Sequence, residues 1–229
     1  MKWLDNAEIL YVDNHLAIAA KPCGMLTQPN QTSLCNRPET AAPQNLEAFV
    51  KLWIKQKHQK PGNVFLHAIH RLDRCVSGLV LFARTSKALS RLNELSRRQE
   101  IQRVYVAEVE GLLSKNEGQL DHFLIHGSHQ AMIANKEDEK AKHARLYYKT
   151  IKHTTFSTFV EIELETGRYH QIRAQFSAIG HPIVGDRRYG SQTGDGSAIH
   201  LHGKKLAFKH PITNEIVTFE VPVPFDSIS

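Results

Sequence analysis

Apolar residues alternate with polar ones, or form short unbroken runs, along most of this chain. The runs ILYV (9–12) and LAIAA (16–20) flank a turn at Asp13-Asn14 and predict two short strands. The unbroken apolar run GLVLFA (78–83) predicts a buried central strand. The same patterns predict five more strands: QRVYVAEVEG (102–111), ARLYYKTI (144–151), TFVEIELETG (158–167), AIHLHGKKLAF (198–208) and EIVTFEVPV (215–223).

Apolar residues spaced three and four apart predict three helices. The first covers NLEAFVKLWIKQKHQK (45–60), and Pro61-Gly62 ends it. The second covers SKALSRLNELSRR (86–98), with Ser86 as its N-cap. Both helices present a basic outer face. The third helix is predicted within GRYHQIRAQFSAIG (167–180).

Helices interspersed among many strands and hairpin-like turns predict an α+β fold with a mixed, mostly antiparallel β-sheet. Neither a repeat nor a linker divides the sequence, so residues 1–229 are predicted to form a single domain. The polar stretch 28–43 carries three prolines and is predicted to be a mobile surface loop.

The composition adds a partner and a compartment to this picture. The chain has 229 residues and a formal net charge of +6 with its 14 histidines counted as neutral, which favours a polyanionic partner such as nucleic acid. Three cysteines without CxxC spacing fit reduced thiols better than a disulfide framework. Neither a membrane-spanning apolar run nor a signal-peptide pattern is present, so we expect a cytoplasmic protein that does not enter a membrane.

The segment HRLDRCVSGL (70–79) holds the first candidate for chemistry. Asp73 stands between Arg71 and Arg74, just ahead of the predicted buried strand. Neighbouring cations keep a partly buried carboxylate ionised and nucleophilic. An aspartate before a strand is more often a turn or capping residue. The segment alone therefore leaves both roles open.

Two further groups of polar residues stand out. GRYHQIR (167–173) lies at a strand-to-helix junction and ends at Arg173, a composition that suits an anion site but also a solvated basic helix face. Tyr105 shares a strand face with Arg103, which suits the stacking of a nucleic-acid base. Packing is the more common role of a tyrosine on a half-buried sheet face.

Other chemistries find less support. The pairs His67/His70 and His200/His202 lack the carboxylate or cysteine partners of a zinc site, so no metal is expected. Cys75 has no evident base beside it and fits an inert small side chain better than a thiol nucleophile. The sequence contains no GxSxG, P-loop or dinucleotide-binding motif.

Several blocks, taken in order, resemble the RluA-type family of pseudouridine synthases. HRLDRCVSGLVLFA (70–83) resembles the family's HRLD-x-x-TSGL-x-x-x-A block. ETGRYHQIRAQFSAIGHPIVGDRRYG (165–190) resembles its TGR-x-HQIR…GHPI-x-GD-x-x-YG block. Shorter resemblances occur in AAKPCGML (19–26), QRVYVAEVEG (102–111) and HLHGKKLAFKHPITNE (200–215). The sequence departs from the family pattern at Ala20, Val76, Tyr169 and Gln175.

The resemblance implies an RNA pseudouridine synthase that acts on uridines in ribosomal or transfer RNA with neither a metal nor an organic cofactor. Asp73 would be the nucleophile, attacking either C1′ of the ribose or C6 of the base. Arg173 would pair with Asp73 and keep it ionised, while Tyr105 would stack on the uracil and serve in proton removal at C5. Arg71 would fill the space that the flipped-out nucleotide leaves.

The remaining implications of the resemblance concern RNA binding. Contacts to RNA are expected from Lys21, Arg74, Arg168, His170 and Gln171. The basic helix faces at 51–60 and 86–98 would contact the RNA backbone, and the 28–43 loop would influence the choice of uridine. The chain is expected to be monomeric and to lack the N-terminal S4-like module of many relatives.

Two alternative functions stay open at this point. One is a non-catalytic RNA-binding module that kept the fold, against which the intact Asp73, Tyr105 and Arg173 argue. The other is a histidine-dependent nuclease, which would cut RNA strands and respond to chelators.

Overall fold

A computed structural model describes residues 6–29, 44–59, 61–194, 196 and 198–225. These residues fall into two compact units, each with its own strands and helices. The first unit contains residues 6–101 and 207–221, and the second contains residues 102–206 and 222–225. The described residues form eleven strands and three α-helices, which confirms the predicted α+β class.

The first unit is built around two buried strands. Its elements are β1 (Glu8–Val12), β2 (Leu16–Lys21), α1 (Leu46–Lys57), β3 (His67–Ala68), β4 (Ser77–Ala83), α2 (Ser86–Arg97) and β11 (Ile216–Glu220). β2 pairs with β1 on one side and with β4 on the other, and both pairings are antiparallel. Every residue of β2 and β4 is buried, as the unbroken apolar run in β4 predicts.

The two helices of the first unit begin at side-chain caps. The Asn45 side chain accepts a hydrogen bond from the Ala48 amide at 2.9 Å and caps α1. The Thr85 hydroxyl accepts one from the Ala88 amide at 3.1 Å and caps α2. The prediction of Ser86 as that N-cap was wrong, because Thr85 has the extended backbone of a cap whereas Ser86 is already helical.

The second unit is an antiparallel meander with one helix packed against it. Its elements are β5 (Gln102–Glu110), β6 (Glu117–His126), β7 (Ala131–Ala134), β8 (Lys142–His153), β9 (Ser157–Leu164), α3 (Gln171–Ala178), a 3₁₀ turn (Arg187–Tyr189) and most of β10 (Leu201–Lys209), whose residues 207–209 belong to the first unit. The strands follow the order β10-β5-β9-β8-β6-β7. The sequence analysis did not predict β6 and β7.

Helix α3 starts later than the apolar spacing suggests. His170 has φ +52°, a left-handed backbone that separates Arg168 and Tyr169 from the helix proper. From Gln171 to Phe176 every residue is buried, so this helix is enclosed on all sides.

Two expectations from the sequence, the mobile 28–43 loop and the single domain, stay predictions. From residue 30 onward the predicted 28–43 loop lies outside the described residues, and the single-domain organisation stays a prediction. In the part of the chain that the structure describes, none of the helices combines the length and the apolar character needed to cross a bilayer.

Candidate active site

The turn that carries Asp73 is held by hydrogen bonds from a single neighbouring segment, residues 21–27. The Thr27 hydroxyl accepts from the Leu72 amide at 3.1 Å and lies 3.0 Å from the Leu72 carbonyl, to which it donates. The Gly24 amide donates to the Arg74 carbonyl at 2.8 Å. Backbone groups on both sides of Asp73 are therefore fixed, 45 or more residues away in sequence from their partners.

We refer to residues 21–27 as the clamp, and Lys21 adds further hydrogen bonds to it. Its side chain is fully buried, at 0% exposure, at the end of β2. The ammonium donates to the carbonyls of Pro22 at 2.9 Å and Met25 at 2.7 Å, and reaches that of Arg74 at 3.4 Å. In this structure the Lys21 ammonium is thus enclosed by backbone oxygens of the turns on either side.

Burial lowers the pKa of Lys21 to about 8 from its ordinary value of 10.5. The charges of Cys23, Cys75 and Asp73 act in the opposite direction and raise it. Asp73 therefore lies within electrostatic reach of a buried ammonium.

The two arginines that flank Asp73 differ in how they are held. Asp73 itself is half-buried, and its carbonyl accepts from the Val76 amide at 3.0 Å as the chain enters β4. Arg74 is exposed and donates through Nε to the Gly24 carbonyl at 2.9 Å. Arg71 is exposed as well. Arg74 is thus tied to residues 21–27 by a hydrogen bond to Gly24.

In the second unit, Arg173 lies at the centre of a buried polar cluster. Its guanidinium forms a two-point ion pair with Asp186, Nε to Oδ2 at 2.7 Å and Nη2 to Oδ1 at 2.9 Å, and both side chains are almost fully buried. Nη1 donates to Nε2 of His170 at 2.9 Å. The ring of Tyr189 lies 4.9 Å from the guanidinium carbon.

The partners of His170 fix its tautomer. Because Nε2 accepts from Arg173, the ring proton of the neutral imidazole belongs on Nδ1, which lies 3.1 Å from the Tyr189 hydroxyl. That hydroxyl accepts from the Ala131 amide at 2.7 Å and donates to the Ala131 carbonyl at 3.2 Å. Burial raises the pKa of Tyr189 to about 12, so the phenol stays protonated.

The other predicted residues of GRYHQIR divide into one buried and one exposed side chain. Gln171 is buried, accepts from the Thr166 hydroxyl at 2.8 Å and the Arg168 amide at 2.9 Å, and donates to the Arg145 carbonyl at 3.0 Å. Arg168 is exposed and donates through Nε to the His143 carbonyl at 2.8 Å. Gln171 therefore holds the loop shape, while Arg168 faces solvent.

Tyr105 lies in the same unit as Arg173, on β5, where it is opposite Ile162 of β9. Only 8% of the residue is exposed. Its predicted face companion Arg103 packs against Gly167, where an added Cβ would meet the Arg103 Nη1 at 2.5 Å. A side chain at position 167 would therefore displace Arg103.

The histidine pairs do not form a metal site among the described residues, where no group of three His, Cys, Asp or Glu side chains has metal-binding geometry. His200 instead lies 2.6 Å from a Glu108 carboxylate oxygen. His202 is buried, and that burial lowers its pKa to about 4. The His70 ring accepts from the Leu81 amide at 3.3 Å.

Sequence reasoning missed three residues that shape these two clusters. Asp186 and Tyr189 fall inside the GDRRYG part of the block compared above, so the signal was present but no partner was assigned to it. Thr27 carried no signal, because a lone threonine 45 positions from Leu72 has no spacing rule that joins them.

Comparison with known proteins gives matches to RNA pseudouridine synthases. The family model described as RNA pseudouridylate synthase matches residues 15–178. A dual-specificity RNA pseudouridine synthase RluA of Pasteurella multocida is 31% identical over 221 residues, which cover 95% of this chain and 94% of the relative. An uncharacterized RNA pseudouridine synthase, YhcT of Bacillus subtilis, is 31% identical and covered to 69% of its length.

A longer relative and a solved structure give matches of the same kind. The ribosomal large subunit pseudouridine synthase D of Nitrosomonas europaea is 32% identical, and the matched part spans 62% of its length. Among solved structures, human RNA pseudouridylate synthase domain containing 4 superimposes with a TM-score of 0.75 over 95% of this chain and 88% of its own. Its sequence identity is 20%, so this likeness concerns the fold.

Proposed function

The chain belongs to the RluA-type family of RNA pseudouridine synthases, and from that premise we propose that it isomerises specific uridines of ribosomal or transfer RNA with Asp73 as the nucleophile. The observation that carries the proposal is the clamp of residues 21–27 around the Asp73 turn. Thr27 fixes the backbone on one side of the aspartate, and Gly24 and Lys21 fix it on the other. Such positioning of a reacting group is what covalent catalysis requires.

The reaction needs one bond broken and one formed within the same nucleoside. The bond from C1′ to N1 breaks, the uracil turns, and C5 bonds to C1′; C5 loses its proton and N1 gains one, so no net group is transferred. Asp73 attacks either C1′ or C6 to begin this exchange. A half-buried carboxylate beside apolar β4 suits a step in which water must stay away from the detached base.

Arg173 and Tyr105 complete the proposed machinery. In this proposal Arg173 pairs with Asp73, and Tyr105 stacks on the uracil and serves the proton removal at C5. The bonds from Arg173 to Asp186 and His170 use one hydrogen on each guanidinium nitrogen.

The predicted RNA contacts divide by burial. The exposed Arg71, Arg74 and Arg168 are proposed to contact RNA, with Arg71 entering the space of the extruded nucleotide. The buried Lys21, His170 and Gln171 are proposed to support their neighbours instead, because their polar atoms are occupied by protein groups. A monomeric, cytoplasmic protein remains part of this proposal.

The test is release of tritium from RNA labelled at uridine C5, since isomerisation frees that hydrogen and binding alone does not. Total RNA from a strain that lacks this gene is the substrate. We expect the wild type to release label and Asp73→Asn to release none, a loss on the order of a thousandfold or more.

The matched control is Glu100→Gln, which neutralises an exposed carboxylate of the same unit and should leave label release unchanged. Both variants should unfold close to the wild-type temperature, because each replaces a carboxylate by an amide of nearly the same size. Label release by Asp73→Asn at the wild-type rate would refute the role of Asp73. No release by the wild type would leave the RNA-binding module as the function.

A further inference from the structure

Three aromatic rings form a column at the surface of the second unit. The rings of His126 and Tyr169 are stacked with their centroids 4.2 Å apart, and those of Tyr169 and His170 with centroids 3.8 Å apart. The angles between the ring planes are 29° and 20°. The column thus joins the end of β6 to the residue that precedes α3.

The two imidazoles lie on opposite faces of Tyr169. If both imidazoles lay on the same face of Tyr169, their rings would overlap, because each centroid lies 4.2 Å or less from the Tyr169 centroid. Non-bonded carbon atoms keep roughly 3.5 Å apart. His126 is therefore one end of the column and His170 the other. His170 is buried and bonded to Arg173, whereas His126 is exposed. The outer face of the His126 ring is the solvent end.

Tyr169, the middle ring of the column, contacts the buried interior of the second unit. Tyr169 packs against the buried cluster of Leu124, Ala131, Ala144 and Ala174. The Tyr169 hydroxyl reaches the carbonyl of His129 at 3.5 Å, in the loop between β6 and β7.

Two exposed arginines, Arg168 and Arg188, belong to segments that contact or adjoin the column. Arg188 donates through Nη1 to the His129 carbonyl at 2.8 Å, and Arg168 precedes Tyr169 in the chain. Among the described residues, neither guanidinium has a carboxylate partner, and each contacts a backbone carbonyl instead. An aromatic face between uncompensated cations is the combination that binds single-stranded nucleic acid.

We propose that the His126 face is a stacking site for an unpaired base of the RNA, with Arg168 and Arg188 contacting the adjacent phosphates. The inference rests on the proposed function and deepens it, since it assigns a place to a second nucleotide of the RNA, apart from the target uridine. The base would extend the column by one ring. The inner end of that column is bonded to Arg173 through His170, and an unpaired base has an open ring face that can stack on the outer end.

The test separates stacking from charge and needs no turnover. Anisotropy titrations measure the Kd of a labelled oligoadenylate of about ten nucleotides, a length that spans one such site, and of an abasic ribose-phosphate oligomer of equal length. We expect His126→Ala to weaken oligoadenylate binding between about 5- and 100-fold and to leave the abasic oligomer unchanged. His126→Phe should restore the affinity, because it restores a ring.

Arg188→Gln should weaken both oligomers by the same factor, because it removes a phosphate contact only. Phe156→Ala is the control; that ring is 80% exposed in a different turn and its loss should change neither Kd. The inference is overturned if His126→Ala binds oligoadenylate like the wild type, or if it loses affinity equally for both oligomers. Tritium release by wild type in the same preparation tests the proposed function separately.

Discussion

At the scale of single residues, Lys21 shows how a charge can serve a site without touching a substrate. Burying an ammonium is costly, and the three carbonyls around it offset part of that cost. What is gained is a fixed link between the end of β2 and the turn that carries Asp73. The part of this cost that the carbonyls do not offset lowers the pKa of Lys21.

The pH dependence of stability should report that cost. Above pH 8 the folded chain loses the Lys21 proton, whereas the unfolded chain keeps it up to about pH 10.5. The unfolded state then binds more protons, so the free energy of unfolding contributed by Lys21 should rise with pH in this window, by about 3 kcal/mol in all. Urea unfolding of the wild type and of Lys21→Met between pH 7 and 10.5 measures the difference.

Lys55→Met is the control for this experiment, because Lys55 is exposed on α1. Asp73, Cys23 and Cys75, which share the surroundings of Lys21, are retained in both variants. A stability difference between wild type and Lys21→Met that stays constant across the window would show that the lysine titrates normally.

At the scale of elements, the sequence predicted those whose burial follows a regular pattern. β4 is buried on both faces and has an unbroken apolar run, and α1 buries one stripe at helical spacing. β6 was missed because only Leu120 and Leu124 of its ten residues are buried, which leaves no alternation to detect. A strand whose polar and apolar side chains do not alternate between its faces is specified by its partners in the sheet.

The candidate site followed the same division. Asp73 stood out because its flanking arginines and following strand are local in sequence. The ion pair of Arg173 with Asp186 and the clamp of Thr27 on Leu72 depend on how distant segments pack, and no spacing rule announces them. The resemblance to a family supplied roles for Tyr105 and Arg173, but not the residues that support them.

The turn that positions Asp186 depends on a glycine. Gly185 has φ +84°, and its amide donates to the Ser191 hydroxyl at 3.0 Å. A Cβ built there would lie 2.2 Å from the Ala198 carbonyl oxygen. The chain can therefore place Asp186 beside Arg173 only if position 185 has no side chain.

Gly185→Ala should accordingly destabilise the protein far more than a left-handed backbone alone explains. Gly180 is the matched control, because its φ is +82° and nothing lies within 4 Å of a Cβ built there. We expect about 1 kcal/mol for Gly180→Ala and roughly 3 kcal/mol or more for Gly185→Ala, since backbone must move. Urea unfolding measures both. Equal losses would mean that the turn relaxes without cost.

At the scale of the whole molecule, the net charge of +6 favours RNA but does not say which surface binds it. On α2, Arg97 and Arg98 both pair with Glu94, so one of these two positive charges is compensated. On α1, Lys57 lies over the Trp53 ring at 4.4 Å. The two basic helix faces predicted from sequence therefore differ in the charge that they offer to a phosphate backbone.

The salt dependence of RNA affinity should resolve that difference. Each lost phosphate contact makes the slope of log K against log [salt] shallower by roughly 0.7 to 0.9. Lys55→Gln/Lys57→Gln removes two exposed cations without carboxylate partners among the described residues, and we expect a slope shallower by roughly 1 to 2. Arg97→Gln/Arg98→Gln removes the same formal charge but also frees Glu94 from its ion pairs, so the slope should change by less.

Filter binding of bulk transfer RNA between 50 and 200 mM salt, about the range where such slopes are measured, compares the two. If the arginine pair changes the slope as much as the lysine pair, the ion pairs on α2 do not shield it, and the basic face of α1 has no special part in holding RNA.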